Sequence, residues 1–103
     1  MAETEQFNAS QDSVQVQSLD LPPQCRVILF NDDFTTKEFV VELLMTVFHK
    51  SNQEAVSIME SVHQNGTGVA GIYTYDIAVT RANIAVAKAR KRGFPLKVEV
   101  EKV

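Results

Sequence analysis

The chain has 103 residues, 45% of them hydrophobic and 22% charged, with a formal net charge of −3. That length and balance suit one soluble domain with one small core, and the mildly acidic total argues against capture of nucleic acid by bulk phosphate attraction. A single cysteine, Cys25, excludes an intramolecular disulfide and suits a reducing compartment. No apolar run approaches the ~20 residues of a membrane-spanning helix, and the N-terminus lacks the basic and apolar regions of a signal peptide, so a cytoplasmic protein with no membrane partner is expected.

The charge is unevenly placed. Residues 1–24 carry Glu3, Glu5, Asp12 and Asp20 with no lysine or arginine, five glutamines and scattered apolar residues without a period. This composition predicts a flexible N-terminal extension over 1–24, closed by Pro22-Pro23, and a folded core over 25–103. The core then holds ten basic and nine acidic residues.

Within the core, Arg26-Val-Ile-Leu-Phe30 is rich in β-branched residues and ends at Asn31-Asp32-Asp33, which predicts a strand and a polar turn. Thr35-x-x-Glu38 has the form of a capping box. Behind it Phe39, Val40, Leu43, Leu44, Val47 and Phe48 recur at helical spacing, predicting a helix over 36–49. Ser51-x-x-Glu54 repeats the capping pattern before the stripe Ala55, Ile58, Met59 and Val62, and Gly66 supplies a stop. Gly68–Tyr73 reads as a second strand. Thr74 can cap an Ala-rich third helix over 75–92, whose basic last turn (Lys88, Arg90, Lys91, Arg92) suits the helix dipole and which Gly93 and Pro95 end. Leu96–Glu101 alternates strictly, as a half-buried strand does. The order is β-α-α-β-α-β. It predicts an α+β fold, a compact two-layer α/β sandwich in which a three-stranded antiparallel sheet packs on three helices.

Two features can carry chemistry. His63 lies four residues after Met59, at the edge of an apolar helical stripe, where a histidine is ordinarily a satisfied structural residue. Asn31-Asp32-Asp33 is ordinarily a turn. Together they form a set of acceptors: an amide oxygen, carboxylates and an imidazole nitrogen. A primary ammonium, with three donors, needs such a set, and a protein α-amino group is mostly protonated at neutral pH. Capture of a free N-terminus is a recurring mode of peptide recognition.

The run Val27-Ile-Leu-Phe-Asn-Asp-Asp-Phe-Thr-Thr-Lys-Glu-Phe-Val-Val-Glu42 closely resembles the first strand, turn and helix of the ClpS family, adaptors of the ATP-dependent Clp protease in the N-end rule. Met59, Ser61-Val-His63, Gly71-Ile-Tyr-Thr74 and Pro95-Leu96 match later landmarks, so the resemblance spans about Pro22 to Val103. It implies an adaptor, not an enzyme, that binds proteins bearing a free bulky N-terminal Leu, Phe, Tyr or Trp and delivers them to a AAA+ unfoldase, with neither cofactor nor metal. Asn31, Asp33 and His63, with Asp32 and Thr35 beside them, match positions that hold the substrate α-amino group. Val40, Met59 and Leu96 match the pocket for the first side chain, with Lys37 at its rim. Asp76 and Arg81 match positions that contact the N-terminal domain of a ClpA-type unfoldase. The implied partners are that domain and N-degron substrates, bound by a monomer.

The pattern also departs from the family. Lys37 stands where many members carry a methionine that guards the rim, Thr36 replaces a common proline, and Phe34 a common tyrosine. Lys37 keeps open a divergent ClpS paralogue with narrowed specificity. Other classes fare worse. A nucleophilic site from Cys25 and His63 with Asn31 as orienter would need a thiolate, and Cys25 follows a proline pair with no activating neighbour in sequence. His49, His63 and the aspartate pair lack metal-ligand spacing. The same element order resembles the factor-docking domain of the ribosomal stalk, which does not require a polar turn facing a helical histidine. The basic turn at 88–92 lacks the aromatic platform of RNA-binding modules.

Overall fold

The structure is a computed structural model and describes residues 22–103. Strand β1 (Gln24–Phe30) leads through a turn to helix α1 (Lys37–Thr46), then α2 (Asn52–Asn65), strand β2 (Thr67–Thr74), helix α3 (Tyr75–Lys91) and strand β3 (Lys97–Lys102). The expected extension lies outside the described residues except for Pro22, Pro23 and Gln24, and Gln24 already belongs to β1, where it faces Thr74.

β1 is the central strand of an antiparallel sheet in the order β2-β1-β3. Alternation sets its two faces. Cys25, Val27 and Leu29 point into the core, whereas Arg26, Ile28 and Phe30 are half-exposed on the other side. Across the outer face Arg26 pairs with Glu101, and the Lys97 ammonium lies 4.7 Å from the Phe30 ring centre. Val27 faces Gly71 and Ile28 faces Val69, so Ala70 is a bulged residue on β2. Its side chain is fully buried.

α3 crosses all three strands. Its buried positions are Ala78, Ala82, Ala85 and Ala89, a stripe of methyl groups that lets the helix lie close to the sheet. α1 packs on α2, and α2 on β2. Phe39, Val40, Leu43, Leu44, Ala55, Met59 and Val62 from these two helices, with Val47 and Phe48 just past α1, extend the core.

The helix ends show where local pattern decides and where it does not. α2 has both halves of its capping box: Ser51 Oγ accepts from the Glu54 N–H, and the Glu54 carboxylate accepts from the Ser51 N–H. It stops at Gly66, in the left-handed region at φ 91°. α1 differs from expectation. Its cap is Thr36, whose hydroxyl accepts from Phe39 N–H, and the helix begins one residue later than the Thr35 box predicts. Thr35 is withdrawn by the preceding turn, where Asp32 takes both its N–H and its hydroxyl. α1 also ends early, at Thr46. His49 adopts φ 56°, and the Lys50 N–H returns to the Leu44 carbonyl. Thr74 precedes α3 in the capping position, but its side chain makes no capping bond.

Candidate functional site

The turn after β1 is built around one carboxylate. Asp32 Oδ1 accepts from the backbone N–H groups of Phe34 (2.8 Å) and Thr35 (2.7 Å), and Oδ2 from the Thr35 hydroxyl (2.7 Å). Such an Asx arrangement replaces the backbone hydrogen bonds the turn cannot make. Burial pushes the Asp32 carboxyl up, but the Thr35 hydroxyl, the Thr35 and Phe34 N–H groups and the Arg90 charge outweigh it and hold it below its ordinary 3.8. The depressed value means that the ionised carboxylate stabilises the fold fully above the unfolded-chain value. That contribution fades as pH falls through the lower folded value. Asp32→Asn is therefore expected to be less stable than the wild type at pH 7 in denaturant unfolding, with the gap narrowing as pH falls below the ordinary carboxylate value of 3.8. A gap that stays constant as the carboxylates are titrated with acid would remove the carboxylate from this role.

A long-range bond places this turn. The Asn31 N–H donates to the Gly66 carbonyl (2.9 Å), immediately past α2, and β1 pairs Phe30 with Thr67. The last turn of α2, with His63, is thereby brought beside residues 31–35. Between them opens a cavity of about 270 Å³ lined by Asn31, Asp32, Asp33, Thr35, Lys37, Val40, Met59, Val62 and His63. Its floor is apolar, from buried Val40, Met59 and Val62. Its mouth is polar: Asn31, Asp33 and His63 are exposed, and their side chains make no hydrogen bond among the described residues. Asp32, by contrast, spends its oxygens on the turn. The arrangement offers one carboxylate, one amide and one imidazole to a donor-rich head group, above a hole for an apolar side chain.

Of the expected site residues, the structure brings Asn31, Asp32, Asp33, Thr35, His63, Val40, Met59 and Lys37 to this cavity. Leu96 is placed differently. It is 1% exposed, inside the core where the α3–β3 connection enters the sheet, and forms no wall of the open cavity. Val62 takes a wall that sequence reading did not assign; its signal was a place three residues after Met59 on the same stripe.

Asp76 and Arg81 lie together on α3, beside a shallow hollow that Ile77, Thr80 and Ile84 also line. Asp76 is exposed. Arg81 is not a free surface cation: its Nη1 donates to the Val47 carbonyl (2.6 Å), its guanidinium lies 5.3 Å from the Tyr73 ring centre, and its Nε is buried without a partner among the described residues. It ties α3 to the end of α1.

Topology separates the residues of the nucleophilic alternative. Cys25 sits near the start of β1 and Asn31 just past its end, six residues or ~20 Å away along the strand, so Cys25 cannot meet His63. Among the described residues no group of three His, Cys, Asp or Glu side chains gathers as metal ligands, and no helix is long and apolar enough to cross a membrane.

Comparison with known proteins agrees with this architecture. Residues 20–99 match the family model described as ATP-dependent Clp protease adaptor protein ClpS. The ATP-dependent Clp protease adapter protein ClpS of Myxococcus xanthus is 49% identical over 90 residues, covering 87% of this chain and 84% of the relative. The protein of that name from Desulforapulum autotrophicum is 51% identical over 81 residues, 79% of this chain and 78% of the relative. In structure the chain resembles ClpS2 of Agrobacterium tumefaciens bound to L-phenylalaninamide, with a TM-score of 0.77 and 35% identity over 81% of this chain and all of that one. With the sandwich, the Asx turn and the cavity between β1 and α2 in place, these matches identify the chain as a member of the ClpS family of Clp protease adaptors.

Proposed function

We propose that the protein is an adaptor that captures substrates by a free, bulky hydrophobic N-terminal residue and hands them to a AAA+ Clp unfoldase, with no chemistry of its own. The observation that carries this reading is the pairing of unoccupied acceptors with an apolar floor in one cavity: Asn31, Asp33 and His63 over Val40, Met59 and Val62. A protonated α-amino group supplies three donors to the rim, and the first side chain descends onto the floor. Burying a Leu or Phe side chain contributes ~1.5–3 kcal/mol. Charge-assisted hydrogen bonds orient the amine and reject an acetylated end, which lacks both charge and donors. The Agrobacterium relative was solved with L-phenylalaninamide, a ligand that carries a free amine and an aromatic side chain. Residues 25–103 are the capturing core in this reading, with 1–24 as its extension.

Fluorescence anisotropy with labelled peptides that begin with Phe, Leu, Val or Ala, and with N-acetyl-Phe, tests the reading. Micromolar or tighter binding of Phe and Leu, lost on acetylation, is expected. Equal binding of free and acetylated Phe peptides would overturn it.

For delivery, the docking face we assign is the exposed part of α3 around Asp76, where Ile77 and Ile84 are 47% and 43% exposed. Its partner is the N-terminal domain of a ClpA-type unfoldase, and a monomer presents it. Arg81 contributes there through the geometry it imposes on α3. Asp76→Lys is expected to weaken binding of that isolated domain roughly tenfold. Unchanged affinity would place docking elsewhere.

A further inference from the structure

The rim of the cavity carries a cation that the amine-binding set does not need. Lys37, the first residue of α1, is exposed and lines the cavity, whose other rim groups are acceptors. It also lines a second hollow, of about 390 Å³, with Glu38, Val41 and Met59. The two hollows share Lys37 and Met59, so they adjoin across these side chains. Lys37 and Val41 stand four residues apart, on one face of α1. The Lys37 ammonium makes no ion pair among the described residues, where the pairs are Arg26–Glu101, Arg92–Glu42 and Lys97–Glu99. Its place in the first turn adds the positive end of the α1 dipole to its own charge.

A peptide whose first residue is seated in the cavity advances by ~3.3–3.6 Å per residue. Its second residue therefore lies at the level of the rim, which Lys37 lines. We infer that Lys37 reads the charge of this second residue, favouring an acidic side chain and disfavouring a basic one. The inference rests on the amino-terminal reading above. Without Lys37 the rim would present Asp33 as its exposed charge, and an acidic second residue would be repelled. Lys37 reverses that preference locally, while its aliphatic stem continues the apolar surface of Val41 and Met59. Glu38 on the far lip keeps the hollow electrically mixed, so the discrimination belongs to the Lys37 ammonium and not to a broad positive field.

The test uses the whole chain and three peptides that differ at one position, Phe-Glu-, Phe-Gln- and Phe-Lys-, with N-acetyl-Phe-Gln- beside them. In the wild type the expected order is Glu over Gln over Lys, with roughly two- to five-fold between neighbours, the range of an exposed charge pair. The spread should shrink at about 0.5 M salt, where exposed charges are screened. In Lys37→Gln the advantage of Phe-Glu- over Phe-Gln- should vanish. Equal affinities, the reverse order, or an advantage that survives in Lys37→Gln overturns the assignment. If free peptides bind without charge preference and the acetylated one does not bind, the Lys37 assignment alone fails. If the acetylated peptide binds as well as the free one, the amino-terminal reading fails and this inference with it.

Discussion

Asp33→Asn is expected to weaken binding of a peptide with a free N-terminal Phe by roughly 10- to 150-fold while leaving the fold intact. The size follows from the worth of a hydrogen bond to a charged group, ~1.5–3 kcal/mol. Asn keeps the shape and one acceptor but removes the charge that faces the ammonium. The fold is spared because the Asp33 carboxylate is exposed and makes no hydrogen bond among the described residues; a surface change of this kind stays within about 0.5 kcal/mol. The neighbouring aspartate behaves in the opposite way, since Asp32 holds the turn and its replacement registers in stability. Anisotropy and thermal unfolding on the two variants separate these roles. A loss below about threefold in Asp33→Asn would take Asp33 out of the amine site.

Gly68→Ala should destabilise the domain by about 1–3 kcal/mol, the cost of overpacking a filled core. Gly68 is buried at the start of β2, against α2. A Cβ there would stand 2.7 Å from Val62 Cγ2 and 3.2 Å from the Ile58 carbonyl oxygen. Val62 is a wall of the cavity, so the helix or that side chain must shift and peptide affinity falls with stability. For a domain of this size each kcal/mol lowers the Tm by roughly 4–8 °C. Gly66→Ala is the informative contrast. Its Cβ meets nothing within 4 Å, and its cost is the backbone strain of φ 91°, about 1–2 kcal/mol. A Gly68→Ala protein that melts with the wild type and binds normally would show that the α2–β2 contact yields without loss.

The sequence was most informative where structure is local. Ser51, Glu54 and Gly66 bound α2 by hydrogen bonds within four residues of themselves, and a reader of pattern finds both ends. A β-branched run ending at a polar turn likewise revealed β1, and alternation revealed β3. The start of α1 was misread because Thr35 had two uses, and the shorter bonds to Asp32 won it for the turn. The cavity could not be assembled from spacing. Asn31 and His63 are joined through the Asn31–Gly66 bond and the β1–β2 register, both long-range, so family likeness supplied what periodicity lacked. The same likeness put Leu96 on the pocket wall; the residue lies just before β3 and is buried. Arg81 was singled out by family likeness, and its structural role became visible only with the Val47 carbonyl beside it.

The single thiol has a further use that follows from its place in the sheet. Cys25 is 1% exposed and is flanked by Tyr73 on one side and Lys102 on the other. Its side chain points into the core, so a thiol-directed reagent can reach it only when the packing of the sheet and its helix layer opens. Its modification rate thus measures how often the core opens, multiplied by the reactivity of a free thiol. A peptide that binds the closed form at the far end of β1 lowers that rate by the factor one plus its concentration over Kd. The protein therefore carries a built-in chemical clock for occupancy, with no label added.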